Sequence, residues 1–568
     1  MRPIGLDTVE QTTGALVEFN LAQVFSAVAA ANPHRDAVVF GDRRLTFAET
    51  DERARRFARA LHQWGYGAQR ERAALAPHES GQSHLGLYLA NCNEFLEAMI
   101  GAYKARVAPF NVNYRYVADE LVYLIDNADA DAIVYQARFA PTLAEALARV
   151  PREIRLIHVD DESGNEPLPG AVRYDELLES TSDEPLDEPL AGPLDVPSPD
   201  DLYMLYTGGT TGMPKAVLWR QHDIYMNAMG GRPPFGGDVV TSLDDIVERS
   251  RPEGPGSMTA APLMHGAAQW AAFINLCSGR PFVMAPTTTH FDPAETWALA
   301  SRERVISLSF VGDAFGRPLV DELESGDYDL SGLFIIVTGG AALSAPLKQR
   351  FVELLPHVTI LDAGGSSESG NQMGQVSSRL QSASGRFAPN PGAVVVSEDM
   401  TRILSPGEDE VGWLAQQGHI PLGYLGDAAK TARTFPVIGG IRHSVPGDRA
   451  RWHVDGQIEL LGRDSVTINS GGEKIFAEEV EAAIHEHPAV YDVVVTGRPS
   501  ERWGNEVVAL VQLVPGAEAD GADIIAEAAR HIARYKLPKD VIFCPRVQRS
   551  PSGKADYRWA KARATQAN

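Results

Sequence analysis

The stretch Tyr206-Thr207-Gly208-Gly209-Thr210-Thr211-Gly212-Met213-Pro214-Lys215-Ala216-Val217 decides how the chain is read. It follows the apolar, β-favouring run Leu202 to Tyr206 and leads into further β-branched residues, so the pattern predicts strand, tight loop, strand. Glycines let backbone N–H groups turn toward an anion, threonine hydroxyls add donors and Lys215 supplies charge, which together make a cradle for nucleotide phosphates. A Walker loop is excluded. That pattern requires Gly-Lys-Ser/Thr opening a helix, and here Met213 and Pro214 separate Gly212 from Lys215. For a lone Gly/Thr run the plain alternative is a flexible hairpin loop, and the remaining sequence decides between the two.

At 568 residues the chain is too long for one ordinary core and implies roughly two to four domains. With 44% hydrophobic and 22% charged residues it reads as a soluble globular enzyme rather than a fibre or a disordered chain. The balance of 51 basic against 75 acidic side chains, −24 overall, argues against nucleic acid as a partner, although a local site can oppose the global field. Cys92, Cys277 and Cys544 are widely spaced, which suggests neither a disulfide framework nor a thiolate metal site; a reducing cytoplasm is the expected compartment. Met1 to Asn20 carries Asp7, Glu10 and Glu18 and lacks the apolar core of an export signal, and no apolar run is long enough to span a bilayer.

Helical spacing is expected over Leu21 to Ala31 and Thr50 to Trp64, with two strands around Gly41-Asp42 between them and a polar, irregular insertion at 67–84. From Leu85 to Val159 strand and helix patterns alternate, which predicts a parallel sheet with helices on its faces. The Pro-rich, acidic residues 181–201, with repeated Asp-Glu-Pro-Leu, read as a solvated linker to a second, similar sub-sheet. There Thr259 to Gly266 ends a strand and opens a helix bearing Trp270, Phe273 and Leu276. Strands Val305 to Val311, Leu333 to Thr338 and Val358 to Leu361 alternate with helices at 317–323 and 345–354. Two of these strands lead into Gly339-Gly340-Ala341-Ala342-Leu343 and Gly364-Gly365-Ser366-Ser367-Glu368. Ligands in open α/β sheets gather at the carboxyl ends of strands, so these segments are expected to be loops sharing one crevice with the phosphate loop. A hydrolase elbow fails at Ser367, because Ser369 stands where Gly is required. Residues 392–461 read as a small β-rich subdomain. A compact α+β unit follows, with helices Glu478 to His487 and Ile524 to Tyr535 around strands Val490 to Thr496 and Val507 to Val514.

Taken in order, these segments resemble the adenylate-forming, AMP-binding superfamily: acyl-CoA synthetases, luciferases and peptide-synthetase adenylation domains. The resemblance implies an α/β fold with a large N-terminal adenylation domain, residues 1–463, made of two similar αβα sub-sheets plus a β-rich subdomain. A small mobile α+β domain, residues 464–568, follows. It implies that Thr207, Gly208, Gly209, Thr210, Thr211, Gly212 and Lys215 hold the ATP phosphates, and that Gly339, Gly340, Ala341, Gly365, Ser366 and Ser367 border the nucleotide. Glu368 and Thr210 would hold Mg²⁺, an ion that prefers carboxylate and hydroxyl oxygens plus waters. Asp448 would accept from the ribose hydroxyls and Arg463 lie beside the ribose and phosphates.

His265, Thr211 and Lys554 carry catalytic expectations by the same resemblance. A carboxylate attacking the ATP α-phosphate brings two anions together, and a mobile ammonium such as Lys554 bridges them as charge moves. Ser470, Gly471, Gly472, Glu473 and Lys474 resemble the loop that enters the crevice in the second half-reaction and borders the channel for coenzyme A. The sequence departs from the family at Gly364, where an aromatic often stacks on adenine, at Pro446, where Thr is usual, and at Ser465, the pivot position usually held by Asp or Lys.

The implied activity is that of an ATP-dependent acyl-CoA synthetase acting through acyl-AMP, with ATP, Mg²⁺ and coenzyme A. Its partner is a small-molecule carboxylic acid, and a homodimer is left open. The wording at 111–116, 218–220, 265–270 and 471–475 is similar to bacterial ligases for long-chain fatty acids and steroid side-chain acids. That favours a bulky apolar acid near Trp270 and Phe273. Two rivals are a stand-alone adenylation enzyme for an amino or aryl acid, and a non-catalytic nucleotide-binding scaffold. Pyrophosphate release with different acids separates all three.

Overall fold

In the computed structural model, residues 17–181, 196–207, 213–232, 238–380, 385–470, 473–500, 503–549 and 553–566 are described. The first helix, Leu21–Ala31, starts where the Asn20 side chain accepts the Ala22 and Gln23 N–H groups, and its apolar face, Leu21, Val24, Phe25 and Val28, is buried. The second, Phe47–Gln63, opens on a reciprocal capping box between Thr46 and Glu49. Between them the strands Asp36–Phe40 and Arg43–Thr46 form a hairpin.

Among the described residues the first sheet has eight strands. His84–Tyr88 lies between Ala108–Asn111 and Ala132–Gln136, all parallel, and Arg155–Val159 continues on the far side. Leu202–Thr207 joins parallel to Ala108–Asn111, and Lys215–Arg220 returns antiparallel to it. The predicted strand, loop, strand reading therefore holds for both flanks of the glycine run. The short strand Gly423–Tyr424 closes this edge by pairing with Leu218 and Val217.

A second sheet of 15 strands begins with the 36–46 hairpin. It runs through the parallel strands Phe282–Met284, Ser257–Thr259, Ser307–Phe310, Ile335–Gly339 and Thr359–Ser366. Antiparallel strands Gly370–Ser377 and Arg386–Pro389 then carry it into Ile458–Arg463 and Asp448–Trp452, so the β-rich part is an extension of the second sub-sheet. The expected loop at 364–368 is corrected here. The strand continues to Ser366, with an irregularity between Gly364 and Gly365. These glycines permit close strand pairing: a Cβ on Gly365 would sit 1.9 Å from the Gly370 carbonyl oxygen.

One apolar core serves both sub-sheets, with Tyr203 and Trp219 from the first and Met258, Trp297 and Phe351 from the second. A separate core lies in the C-terminal part. There the strands Val490–Ser500 and Gly504–Leu513 pair along their whole length, and Asp540–Phe543 runs parallel to the second. Helices Ala477–His485 and Gly521–Ala528 cover one face, and Tyr557–Gln566 covers the other. The helix expected over 524–535 ends at Ala528; the chain then turns so that both Ile532 and Leu537 reach the same core. This part docks on the N-terminal part through Arg317, whose guanidinium lies 4.5 Å from the Tyr491 ring centre, and through Asp313, 3.9 Å from His485.

The strand that leads into the glycine run is anchored by a buried ion pair. Arg106 Nη2 meets Asp201 Oδ1 at 2.7 Å, with side chains 3% and 2% exposed, and Glu71 lies 2.9 Å from Nη1. Removing one partner strands a buried charge. Arg106→Met is expected to cost about 3–5 kcal/mol, read as a lower denaturation midpoint for the N-terminal part, with Asp201→Asn moving in the same direction.

Candidate active site

Register brings Thr207 opposite Lys215 and Tyr206 opposite Ala216, so both strands deliver their ends to the mouth of the glycine loop. Gly208, Gly209, Thr210, Thr211 and Gly212 lie outside the described residues. Asn111 ties this hairpin to the next segment. Its Nδ2 donates to the carbonyls of Tyr206 (2.9 Å) and Met264 (2.6 Å), while its Oδ1 accepts from Tyr206 N (2.8 Å). Asn91 makes the neighbouring clamp, accepting from Leu263 N at 2.7 Å and donating to the Ala261 carbonyl at 3.2 Å.

Between these clamps His265 caps the helix Gly266–Leu276. Its Nε2 is buried and has no hydrogen-bond partner among the described residues. Burial first, then the charges of Lys554 and Arg115, push its pKa down to about 3, so the ring is a neutral imidazole at any working pH. Behind it a buried string runs from Trp270 Nε1 to Tyr203 OH (3.2 Å), from Tyr203 OH to Gln269 Oε1 (2.8 Å), and from Gln269 Nε2 to the Leu263 carbonyl (2.8 Å). Phe273 packs edge-on to Tyr103 beside it.

Glu368 sits just past Thr359–Ser366. Tyr424 OH donates to its Oε1 at 2.8 Å, Ser444 Oγ donates to its carbonyl at 2.6 Å, and Trp219 Nε1 donates to the carbonyl of Ser367 at 2.9 Å. Ser366 turns its hydroxyl to Ser369 (2.9 Å). Gly364 has no room for a stacking ring on its side-chain face. A Cβ there would meet Met373 Cγ at 2.8 Å, and Met373 is a buried core residue.

Asp448 and Arg463 are cross-strand partners, with Nε to Oδ1 at 3.3 Å. Burial raises the Asp448 carboxyl, and the nearby Glu368 charge adds to this while Arg463 opposes it. Lys554 enters from the C-terminal part: a Cβ added to Gly340, whose φ is +80°, would lie 3.9 Å from Lys554 Cε. The Lys554 side chain is exposed, yet protein atoms crowd its ammonium. Desolvation, then Arg463, lowers its pKa, and Glu368 and Asp448 pull the other way. Gly553 takes φ +76° with Val311 O 3.2 Å from where its Cβ would be, so a bulkier residue there would push the lysine out of line.

The structure thus brings His265, Glu368, Asp448, Arg463 and Lys554 together, with Gly340 against Lys554 and Thr207 opposite Lys215, while Gly339, Ala341, Gly365, Ser366 and Ser367 lie in the adjoining segments. Ser470 and Glu473 are placed differently. They pair with each other in the hairpin Ile468–Ser470/Glu473–Ile475, Ser470 also pairs with Gly504, and neither bonds the crevice groups among the described residues. Lys474 lies within that second strand, Ser465 within the short turn Asp464–Val466, and Gly471 and Gly472 outside the described residues. Asn91 and Tyr424 escaped the sequence reading, and Asn111 and Trp219 entered it only within the similar stretches 111–116 and 218–220, without a site role, because an isolated Asn, Trp or Tyr carries no spacing signal. The described group His222, Asp223 and His419 has the makings of a metal site. However, His222 Nδ1 accepts the Phe19 N–H at 3.1 Å, which puts the ring proton on Nε2 and disfavours ligation.

The depressed His265 pKa has a stability consequence with a defined sign. The unfolded chain binds this proton near the ordinary value of 6.5 and the folded chain only near 3, so stability is lost as pH falls between those values. Replacing His265 with the untitratable Asn is expected to move the acid-unfolding midpoint down by about half a pH unit, followed by tryptophan fluorescence.

The comparisons with known proteins show the family of the chain. The AMP-binding enzyme profile matches residues 25–424, and the AMP-binding enzyme C-terminal domain profile matches residues 479–554. The chain is 54% identical over 548 residues to the medium-chain acyl-CoA ligase Mig of Mycobacterium avium, covering 96% of this chain and 98% of that protein. It is 38% identical to the 3-oxocholest-4-en-26-oate–CoA ligase of Rhodococcus rhodochrous, covering 95% of each. Among solved structures, the anthranilate CoA ligase AuaEII bound to anthranoyl-AMP superposes with a TM-score of 0.79 at 18% identity, covering 97% of this chain and 98% of that one. ATP-bound MatB from Rhodopseudomonas palustris gives 0.77 at 20% identity, over 96% and 99%. These two structures speak to the adenylate-forming fold, and with the profile matches and the relatives they show that the chain belongs to the AMP-binding enzyme family.

Proposed function

We propose that the protein is an AMP-forming acid–CoA ligase for a bulky apolar carboxylic acid, a medium- or long-chain fatty acid or a steroid side-chain acid, acting through acyl-AMP. The observation that carries this reading is the reach of Lys554 from the C-terminal part to Gly340, beside Asp448 and Arg463 and facing Glu368. The substrate class is supported by the acids in the relatives' names and by an aromatic wall of the buried Tyr203 and Phe273 and the partly buried Trp270.

In this reading Asp448 accepts from the ribose hydroxyls, with Arg463 orienting its carboxylate, and Thr207 and Lys215 bracket a loop whose Gly208 to Gly212 hold the β- and γ-phosphates. Gly339, Gly340, Ala341, Gly365, Ser366 and Ser367 border the nucleotide. The Glu368 carboxylate fits Mg²⁺: a hard oxygen donor, fixed by Tyr424 through one oxygen, with Thr210 as the second protein ligand. When bound, Mg²⁺ supplies neutralisation of phosphate charge. His265, neutral and held between the Asn91 and Asn111 clamps, positions the acyl carboxylate by hydrogen bonding without repelling or trapping it, and Thr211 donates to the reacting phosphate. The substrate carboxylate attacks the α-phosphorus, the bond to the bridging oxygen breaks, and its electron pair leaves with pyrophosphate. Lys554 stabilises the charge spread between the two anions.

Residues 1–463 and 464–568 are the two moving bodies in this proposal, with the turn Asp464–Val466 as pivot. Rotation withdraws Lys554 and presents Ser470, Gly471, Gly472, Glu473 and Lys474 for attack of the coenzyme A thiolate on the acyl carbonyl, with AMP leaving. No helix among the described residues is long and apolar enough to cross a membrane. The three cysteines are free and buried, which supports a reducing cytoplasm as the compartment.

Acid-dependent pyrophosphate release across fatty, steroid, aryl and amino acids tests the proposal. Release is expected with the first two classes, and none with any acid would overturn the enzyme reading. Lys554→Ala is expected to slow acyl-AMP formation by roughly 10²–10³-fold. Thioester formation from supplied acyl-AMP should change little, and equal loss of both steps would count against two working orientations.

A further inference from the structure

Lys215 is not the sole ammonium at the phosphate end of the crevice. Lys430, on the helix Ala428–Thr434, extends over the Tyr424 ring with its Nζ 4.5 Å from the ring centre. The hydroxyl of that same Tyr424 is the donor to Glu368 Oε1. Tyr424 pairs with Val217, two residues beyond Lys215, so strand and helix together bring the Lys430 ammonium beside the Lys215 ammonium. Three contacts fix the backbone that presents it. Asp427 accepts from Lys430 N at 2.8 Å, Thr431 Oγ1 accepts from Tyr424 N at 2.9 Å, and a Cβ on Gly423 would strike Thr431 at 2.5 Å.

Two ammonium groups held this close repel each other. Among the described residues, neither lysine forms an ion pair with a carboxylate. Partial burial, then Lys215 itself, pushes the Lys430 pKa down to about 8, with Glu368 and Asp427 acting against that fall. An arrangement of this kind is costly without an anion between the two cations and favourable with one, which is how charge-assisted phosphate sites are built. A purely structural role, the cation resting on the Tyr424 ring, would not require the second lysine.

We propose that Lys430 is a second phosphate-binding residue of the site, which with Lys215 grips the β- and γ-phosphates of ATP and the pyrophosphate they become. The inference rests on the adenylation reading above and assigns a role to a residue outside the glycine loop. As the bond between the α-phosphorus and the bridging oxygen breaks, the electron pair passes to pyrophosphate, and Lys430 stands where that charge grows. No proton leaves Lys430 in this step.

The test uses the full-length protein with Lys430→Gln and Lys430→Arg. For Lys430→Gln, the ATP KM and the inhibition constant for pyrophosphate are expected to rise roughly tenfold or more, as for loss of a charge-assisted contact. AMP affinity should stay within about twofold, because AMP lacks the two phosphates, and thioester formation from supplied acyl-AMP should be unchanged; Lys430→Arg should restore most of the loss. If ATP and pyrophosphate constants stay within about twofold of wild type, or AMP affinity falls in step with ATP, the inference is wrong. Calorimetric binding of inorganic pyrophosphate to wild type and variant reads the contact directly. A wild-type protein that binds pyrophosphate through Lys430 but releases none with any acid would sink the adenylation reading and leave this one standing. Should Lys430→Gln fail to fold, Lys430→Met keeps the aliphatic stem on Tyr424 and serves in its place.

Discussion

The Asn111 side chain holds the crevice in register. A single amide satisfies both the N–H and the carbonyl of Tyr206 and still reaches the Met264 carbonyl. Tyr206 lies one residue before Thr207 and Met264 one before His265, so the strand into the glycine run and the segment that carries His265 hang from one carboxamide. Buried backbone groups left unpaired at those two points would be expensive. Satisfying them with a short, stiff side chain fixes how far apart the two functional segments stand.

Electrostatically the crevice runs against the rest of the chain. In a protein of net charge −24, Lys215, Lys430, Arg463 and Lys554 are gathered beside Glu368 and Asp448. The lowered Lys430 and Lys554 and the raised Asp448 are signs of charges held against their own preference by burial and by neighbours. Gathered in this way, the cations would favour a polyanion between them, within a surrounding negative field.

Elements with strong periodicity were readable from sequence. The helices Leu21–Ala31 and Ala345–Leu354 fall where their apolar spacing puts them, because burial on one face dictates both pattern and length. The glycine-rich segment at 364–366 did not follow its composition. Glycine signals a turn on local grounds, yet here it answers to a tertiary demand, the approach of the Gly370 backbone. Motif residues such as Glu368, Asp448 and Lys554 were recognisable through their order along the chain. Asn91, Asn111, Tyr424 and Lys430 were not, since their significance lies in partners roughly 50 to 200 positions away or in a strand pairing that composition does not encode.

The second sheet does not stop where the α/β pattern stops: the same hydrogen-bonded lattice passes from Thr359–Ser366 through the antiparallel strands to Asp448 and Arg463. Carboxylate Glu368 and the Asp448/Arg463 pair are thus fixed on one continuous ruler, and Tyr424 pins that ruler to the strand of Lys215. In the proposed function, a nucleotide spanning these marks would be gauged end to end by one continuous template. In the proposed reaction the ammonium carried on the C-terminal part would touch that template only while the first bond is being made, which would put fidelity of measurement and timing of reaction in different parts of the chain.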